Sequence, residues 1–229
     1  MIKRMIAVFV MLFIIIVFPQ TASAASGEGE ENNDSIWLPQ NIADVMSVNN
    51  DLVGWLTIEG TEIDYPVMSD IFNPLEYLSK DINLDYSFLG TPFLNVKNDP
   101  LDPNQNLVIG ARDTHGRSLF SDIRNYSKPG YLEEHPVVVF DSLYSYEEYE
   151  IVYVIKSRTI VLDRYDTFRY YEETEFPDEE SFERFIRGIE KLAICSSGKE
   201  IEYGDQMLTL TVRSKYSVGS DIAIVAVKI

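Results

Sequence analysis

Apolar residues change their spacing several times along the chain, and each change predicts a different element. Residues 6–18 are apolar without interruption. Residues 25–35 (Ala-Ser-Gly-Glu-Gly-Glu-Glu-Asn-Asn-Asp-Ser) carry no apolar period at all. Ile42, Val45, Met46 and Val48 then recur at helical spacing and predict a short helix packed by one face. After it the pattern becomes strand-like. Residues 52–58 form a β-rich run closed by the Glu59-Gly60 turn, and Ile63, Tyr65 and Val67 alternate with polar neighbours. Further strands are predicted at 93–96, 107–109, 137–140 and 149–155, with a short helix at 118–126. One helix stands out. Phe182, Phe185, Ile186, Ile189 and Leu192 share a face. Pro177 is expected at its first position, acids follow, and Ser196-Ser197-Gly198 is expected to end it. Strands at 207–212 and 222–229 close the chain. Strand follows strand with no regular βα alternation, so the pattern predicts a mostly-β barrel with helical insertions.

The N-terminus adds a compartment. Lys3 and Arg4 precede the apolar run, Pro19 ends it, and Ala22-Ser23-Ala24 offers small residues for cleavage. Residues 1–24 are read as a signal peptide, with a retained anchor as the alternative; the apolar run is short of the roughly 20 residues of a membrane span. Residues 25–39 are read as a flexible acidic linker, and 40–229 as one domain. Either way the domain is expected outside the cytoplasm.

Charge excludes two classes of partner. The net charge of −18 argues against nucleic acid and against strong binding to anionic membrane surfaces. The single cysteine, Cys195, rules out an internal disulfide. Two histidines and one cysteine cannot build a zinc cage. Acidic pairs such as Glu172-Glu173 lack the spacing of an EF-hand loop. No metal and no cofactor are expected.

Several segments resemble the class B sortases, cell-wall transpeptidases of Gram-positive bacteria. They are Asn50-Asp51-Leu52-Val53-Gly54-Trp55-Leu56-Thr57-Ile58, Gly60-Thr61 and Ile63-Asp64-Tyr65-Pro66-Val67 near the start. Asn106-Leu107-Val108-Ile109-Gly110 with Ser118-Leu119-Phe120, His135-Pro136, the helix before the last two strands, and Leu208-Thr209-Leu210 follow in order. The resemblance covers about residues 40–229. It implies a sortase-type eight-stranded β-barrel with an N-terminal helix and a long helix before the last two strands.

It also implies a chemistry, and this chain departs from it. In that family a cysteine thiolate attacks a sorting-signal peptide, a histidine moves protons and an arginine steadies the oxyanion. The histidine follows the glycine matched by Gly110; here Ala111 does. The cysteine position is Arg213 and the arginine position is Asp221, whose charge would oppose an oxyanion. The expectation is therefore an exported sortase B-like pseudoenzyme. It would bind a sorting-signal peptide or a cell-wall surface protein, or assist an active sortase. Thr209, Thr211 and Arg213 are expected to line its peptide groove. Arg213 could instead pair with Asp221 as a structural contact. Two alternatives stay open. One is an active transpeptidase or peptidase with Cys195 and His115 as a displaced pair. The other is an acidic cell-surface scaffold. The segment 112–117 is expected to be a solvated loop, and His135 to hold a turn.

Overall fold

The computed structural model describes residues 39–101, 104–114, 116–158, 168–214 and 220–229, and within these the side chains of Arg158, Arg213, Ser214, Ser220 and Asp221 lie outside the description. The signal segment, the linker up to residue 38, and His115 fall outside the described residues.

Helix α1 (Gln40–Met46) leads into β1 (Leu52–Thr57) and β2 (Asp64–Met68). The two-residue strand β3 (Phe93–Leu94) and the eight-residue strand β4 (Asn106–Asp113) follow. The one-turn helix α2 (Tyr131–Glu134) precedes the hairpin of β5 (Val137–Ser142) and β6 (Tyr146–Arg158). Then come α3 (Glu179–Leu192), β7 (Ala193–Ser196), β8 (Met207–Ser214) and β9 (Ser220–Lys228). Hydrogen bonding runs β5-β1-β2-β3-β4-β8-β9-β6 and returns from β6 to β5, which closes an eight-stranded barrel. The ninth strand, β7, is an appendage on β6. Closure removes the free edges that an open sheet would present.

The pleat sorts side chains between the two faces of this wall. Leu107, Ile109 and Ala111 of β4 and Leu208, Leu210 and Val212 of β8 point inward, into a core shared with Leu56, Val67, Phe120, Phe140 and Ile224. A second core lies outside the barrel, where Phe182, Phe185 and Ile189 of α3 meet Val152, Ile155, Met207 and Val225. Burying each such side chain contributes about 1.5–3 kcal/mol, which is why the apolar stripe of α3 docks on the sheet. A third, smaller core seats Ile42 and Val45 of α1 on Leu52, Met68, Tyr77 and Phe93.

The sequence reading of element types holds through most of the barrel, with corrections at boundaries. Pro177 lies just before the helix. Asp178 is the N-cap, its carboxylate accepting from the Ser181 amide at 2.8 Å while Ser181 bonds back to it. That reciprocal capping box satisfies donors a proline at the first position would have left to water. The α3 helix ends at Leu192, the last residue of its apolar stripe, but residues 193–196, expected to lead only to the Ser196-Ser197-Gly198 stop, turn directly into strand. No glycine or proline marks that change, so periodicity alone could not find it. The expected short helix near 118–126 is a 3₁₀ helix at Ser121–Ser127. His135 does hold a turn: its Nδ1 lies 2.8 Å from the Glu59 carbonyl. Gly60, at φ +77°, packs so close that an added Cβ would sit 2.6 Å from the imidazole.

Candidate active site

Strands β4 and β8 run parallel, and their register places Gly110 beside Thr211, Ala111 beside Val212 and Arg112 beside Arg213. Strand β9 runs antiparallel to β8 with Thr211 opposite Ala223. Two residues further along each strand stand Arg213 and Asp221, and Asp221 also pairs with Ser157 of β6. The three positions singled out from the sequence, Ala111, Arg213 and Asp221, therefore gather at one end of the barrel wall on three adjacent strands. The side chains of Arg213 and Asp221 lie outside the description, so the two readings of Arg213 both stand.

Ala111 has no solvent exposure and belongs to the inner core. A methyl group there can neither take nor give a proton, and the walls around it, Val212 among them, are apolar. General acid–base chemistry needs an ionisable group within about 3 Å of the reacting proton. This position cannot supply one.

The segment after Ala111 corrects one expectation. Residues 112–114 are not part of a solvated loop, whereas Gly116 and Arg117 are exposed as expected. Strand β4 continues to Asp113, and Thr114 and Arg117 bridge across a tight turn. Arg112 donates to the Leu78 carbonyl at 3.0 Å. The Asp113 side chain is 4% exposed and accepts from the Gly116 amide at 2.8 Å and from Arg124 at 3.3 Å. Polar residue types suggested solvent; the side chains are instead spent on the turn itself.

Thr209 and Thr211 correct another. They were expected, with Arg213, to line a peptide groove; in the structure they are 0% and 2% exposed. The Thr209 hydroxyl donates to Asn106 Oδ1 at 2.9 Å, and the Thr211 hydroxyl lies 2.9 Å from the Tyr170 hydroxyl. Both point away from the barrel interior, as a groove would require, yet each already has a partner from its own chain. The covering residues, 168–176, escaped sequence reading because Glu172, Glu173 and Glu175 give the stretch the look of exposed chain. The available signal was the alternation of Thr174 and Phe176 with those acids.

Cys195 sits on β7, opposite Val154 of β6. Strands β6 and β9 lie between β7 and β8 in the sheet, a separation of three strand spacings of about 4.8 Å each. The thiol is half-buried and packs against the inner core. It is not on the strand that the nucleophile position occupies. Its suggested partner, His115, falls outside the described residues.

A separate cleft of about 610 Å³ opens among the loops flanking β1, β2 and β3, lined by Leu52, Val53, Ile71, Val96, Leu101 and Tyr144. The loop at 96–101 precedes β4, so this cleft lies toward the opposite end of that strand from Ala111.

An eight-stranded barrel closed by β5 and β6, with β4 and β8 parallel neighbours and a helix before β8 and β9, is the sortase-type fold. No family model matches the chain. Sortase B of Listeria monocytogenes is 28% identical over 195 residues, covering 85% of this chain and 73% of that protein. Sortase B of Staphylococcus aureus is 24% identical over 183 residues, covering 80% and 71%. Among solved structures, a Staphylococcus aureus sortase B–substrate complex superposes with a TM-score of 0.72 at 23% identity, over 82% of this chain and 84% of that one. Sortase B from Listeria monocytogenes superposes at 0.67 with 28% identity, over 82% and 99%. The chain is a class B sortase-like protein.

Proposed function

We propose that this protein is a sortase B-like pseudoenzyme acting outside the cytoplasm at the cell wall of a Gram-positive bacterium, where it engages a sorting-signal peptide or a surface protein without cutting it. The observation that carries the reading is the pairing of a buried Ala111 at the proton-transfer position with a lone cysteine three strands removed from β8. Thiolate catalysis needs the nucleophile and its base within hydrogen-bond reach. The sequence supplies neither at the family positions. Arg213 and Asp221 support the same reading, since a guanidinium replaces the nucleophile and a carboxylate replaces the oxyanion's cation. The expected signal segment supports the location. Among the described residues no helix is long and apolar enough to cross a membrane, and the segment at 6–18 is the one that would do the targeting.

The test is incubation of the purified domain with sorting-signal peptides and an amine acceptor, with products read by mass spectrometry. The reading expects neither cleaved nor transferred peptide. Turnover that vanishes in Cys195→Ala would overturn it in favour of a displaced catalytic pair.

A further inference from the structure

A strap of the protein's own chain lies over the outer face of β4 and β8 and over the loops flanking β3 and β4. In residues 173–176 burial alternates: Thr174 and Phe176 are 6% and 4% exposed, while Glu173 and Glu175 face solvent. That is the period of an extended peptide, and it follows a 3₁₀ turn at Tyr170–Glu172. Four consecutive strap carbonyls are each met by a donor from the floor. Asn95 Nδ2 donates to the Tyr171 carbonyl at 2.8 Å, and Lys97 Nζ to that of Glu172 at 2.9 Å. Asn106 donates twice, from its side chain to Glu173 at 2.8 Å and from its main chain to Thr174 at 3.1 Å. Gln105 then accepts from the Phe176 amide at 2.7 Å. The floor thus reads mainly main chain, two carbonyls from a 3₁₀ turn at Tyr170–Glu172 and two from the extended residues after it, with side-chain contacts added by Lys97 to Glu172 and by Asn104 to Glu175.

The two ends of the strap differ. Phe176 is locked into the α3 core, its ring centroid 4.9 Å from that of Phe185 and 5.5 Å from that of Phe182. Tyr170 is at the other end, lying over Thr211, two residues short of Arg213 on β8. Its hydroxyl and ring occupy the space above β8 that the sequence had assigned to a ligand. The floor donors are themselves pre-set. Asn98 is 7% exposed, donates to the Asn106 carbonyl and accepts from the Val108 amide, which fixes the start of β4 beneath the strap.

We infer that residues 170–176, a 3₁₀ turn followed by an extended segment, are an internal occupant of a peptide site formed by β4, β8 and the loops flanking β3 and β4, so that a peptide binds there only by displacing Tyr170 and the strap behind it. The identity of such a site as the ligand groove rests on the proposed function; its self-occupancy rests on the contacts above. Closure lowers apparent affinity by the fraction of molecules in which the strap is open. A variant that weakens the strap's Tyr170 end therefore gains affinity without any new contact.

The experiment uses the full chain and a labelled synthetic peptide with the sequence of residues 168–176, followed by fluorescence anisotropy. Tyr170→Ala is expected to bind this peptide at least about tenfold more tightly than wild type. Equal affinities, including no binding by either protein, would overturn the inference. Should Tyr170→Ala not fold, hydrogen exchange on wild type decides. The Asn106 amide, bonded to the strap, is expected to exchange by a local opening well before the Leu210 amide in the centre of β8. Exchange of both in a single global event would make the strap ordinary core and overturn the inference. Peptide turnover dependent on Cys195 would instead strike the non-catalytic reading and leave the anisotropy result as it is.

Discussion

The two faces of the β4–β8 wall are both buried, but by opposite means. The inner face is apolar throughout, with Leu107, Ile109, Ala111, Leu208, Leu210 and Val212 packed against the rest of the barrel. The outer face carries Asn106, Thr209 and Thr211, sealed by hydrogen bonds to one another and to the strap. Apolar burial is non-directional and tolerates substitution of like for like. A sealed polar face is directional, and it costs stability whenever one member is lost. The inner face therefore specifies the barrel that this chain shares with sortase B. The outer face specifies what lies on the barrel, and there this chain has put its own residues.

The largest effect expected from this contrast is on the inner face. Leu210→Ala should lower stability by about 2–5 kcal/mol, the range for a fully buried leucine, measured by denaturant unfolding. A loss below about 1 kcal/mol would mean the wall can collapse around the gap, and the contrast would weaken. Asn106→Leu comes next. It strands the Thr209 hydroxyl and the Glu173 carbonyl, each costing about 1–3 kcal/mol when left unsatisfied. Stability should fall although an apolar residue of similar size has been buried. A neutral or stabilising result would show that the outer face behaves like the inner one. Tyr170→Phe is gentler, removing one hydroxyl and leaving Thr211 without that partner, for about 1 kcal/mol.

The smallest expected effect lies away from both faces and serves as a control. Burial pushes the Glu147 carboxyl up, but hydrogen bonds from Lys228, Tyr149 and Ser145 outweigh it and leave its pKa below the ordinary value. A carboxyl depressed in the folded state contributes stability above its unfolded pKa of about 4.3, and loses it as pH falls through the lowered folded value. Wild type should therefore lose more stability than Glu147→Gln on going from about pH 6 to about pH 3. Parallel profiles for the two proteins would remove this residue from the account.

The inner face was legible in the sequence because a strand buried on one side announces itself every second residue. Leu208-Thr209-Leu210-Thr211-Val212 gave both the strand and its orientation. The stripe of α3 was equally plain. The outer face was not legible. Thr209 and Thr211 have the composition of a wet groove, and nothing in a threonine tells whether its partner will be water or a tyrosine 41 residues away. Strand β7 was missed for a related reason. Ala193-Ile194-Cys195-Ser196 is short and pairs along only one edge, so its strand character comes from β6 and not from itself. The positions matched by resemblance fell between these cases. Resemblance located Ala111, Arg213 and Asp221, and the described backbone brings their strands together at one end of the wall, a juxtaposition that no local pattern contains.

The most direct test of the central claim looks for the covalent intermediate itself. A thiol transpeptidase must pass through an acyl-enzyme, a thioester between its cysteine and the substrate's carbonyl. Intact-mass spectrometry of the protein after incubation with sorting-signal peptides, without an acceptor, should return the unmodified mass. An added acyl fragment that maps to Cys195 would contradict the account.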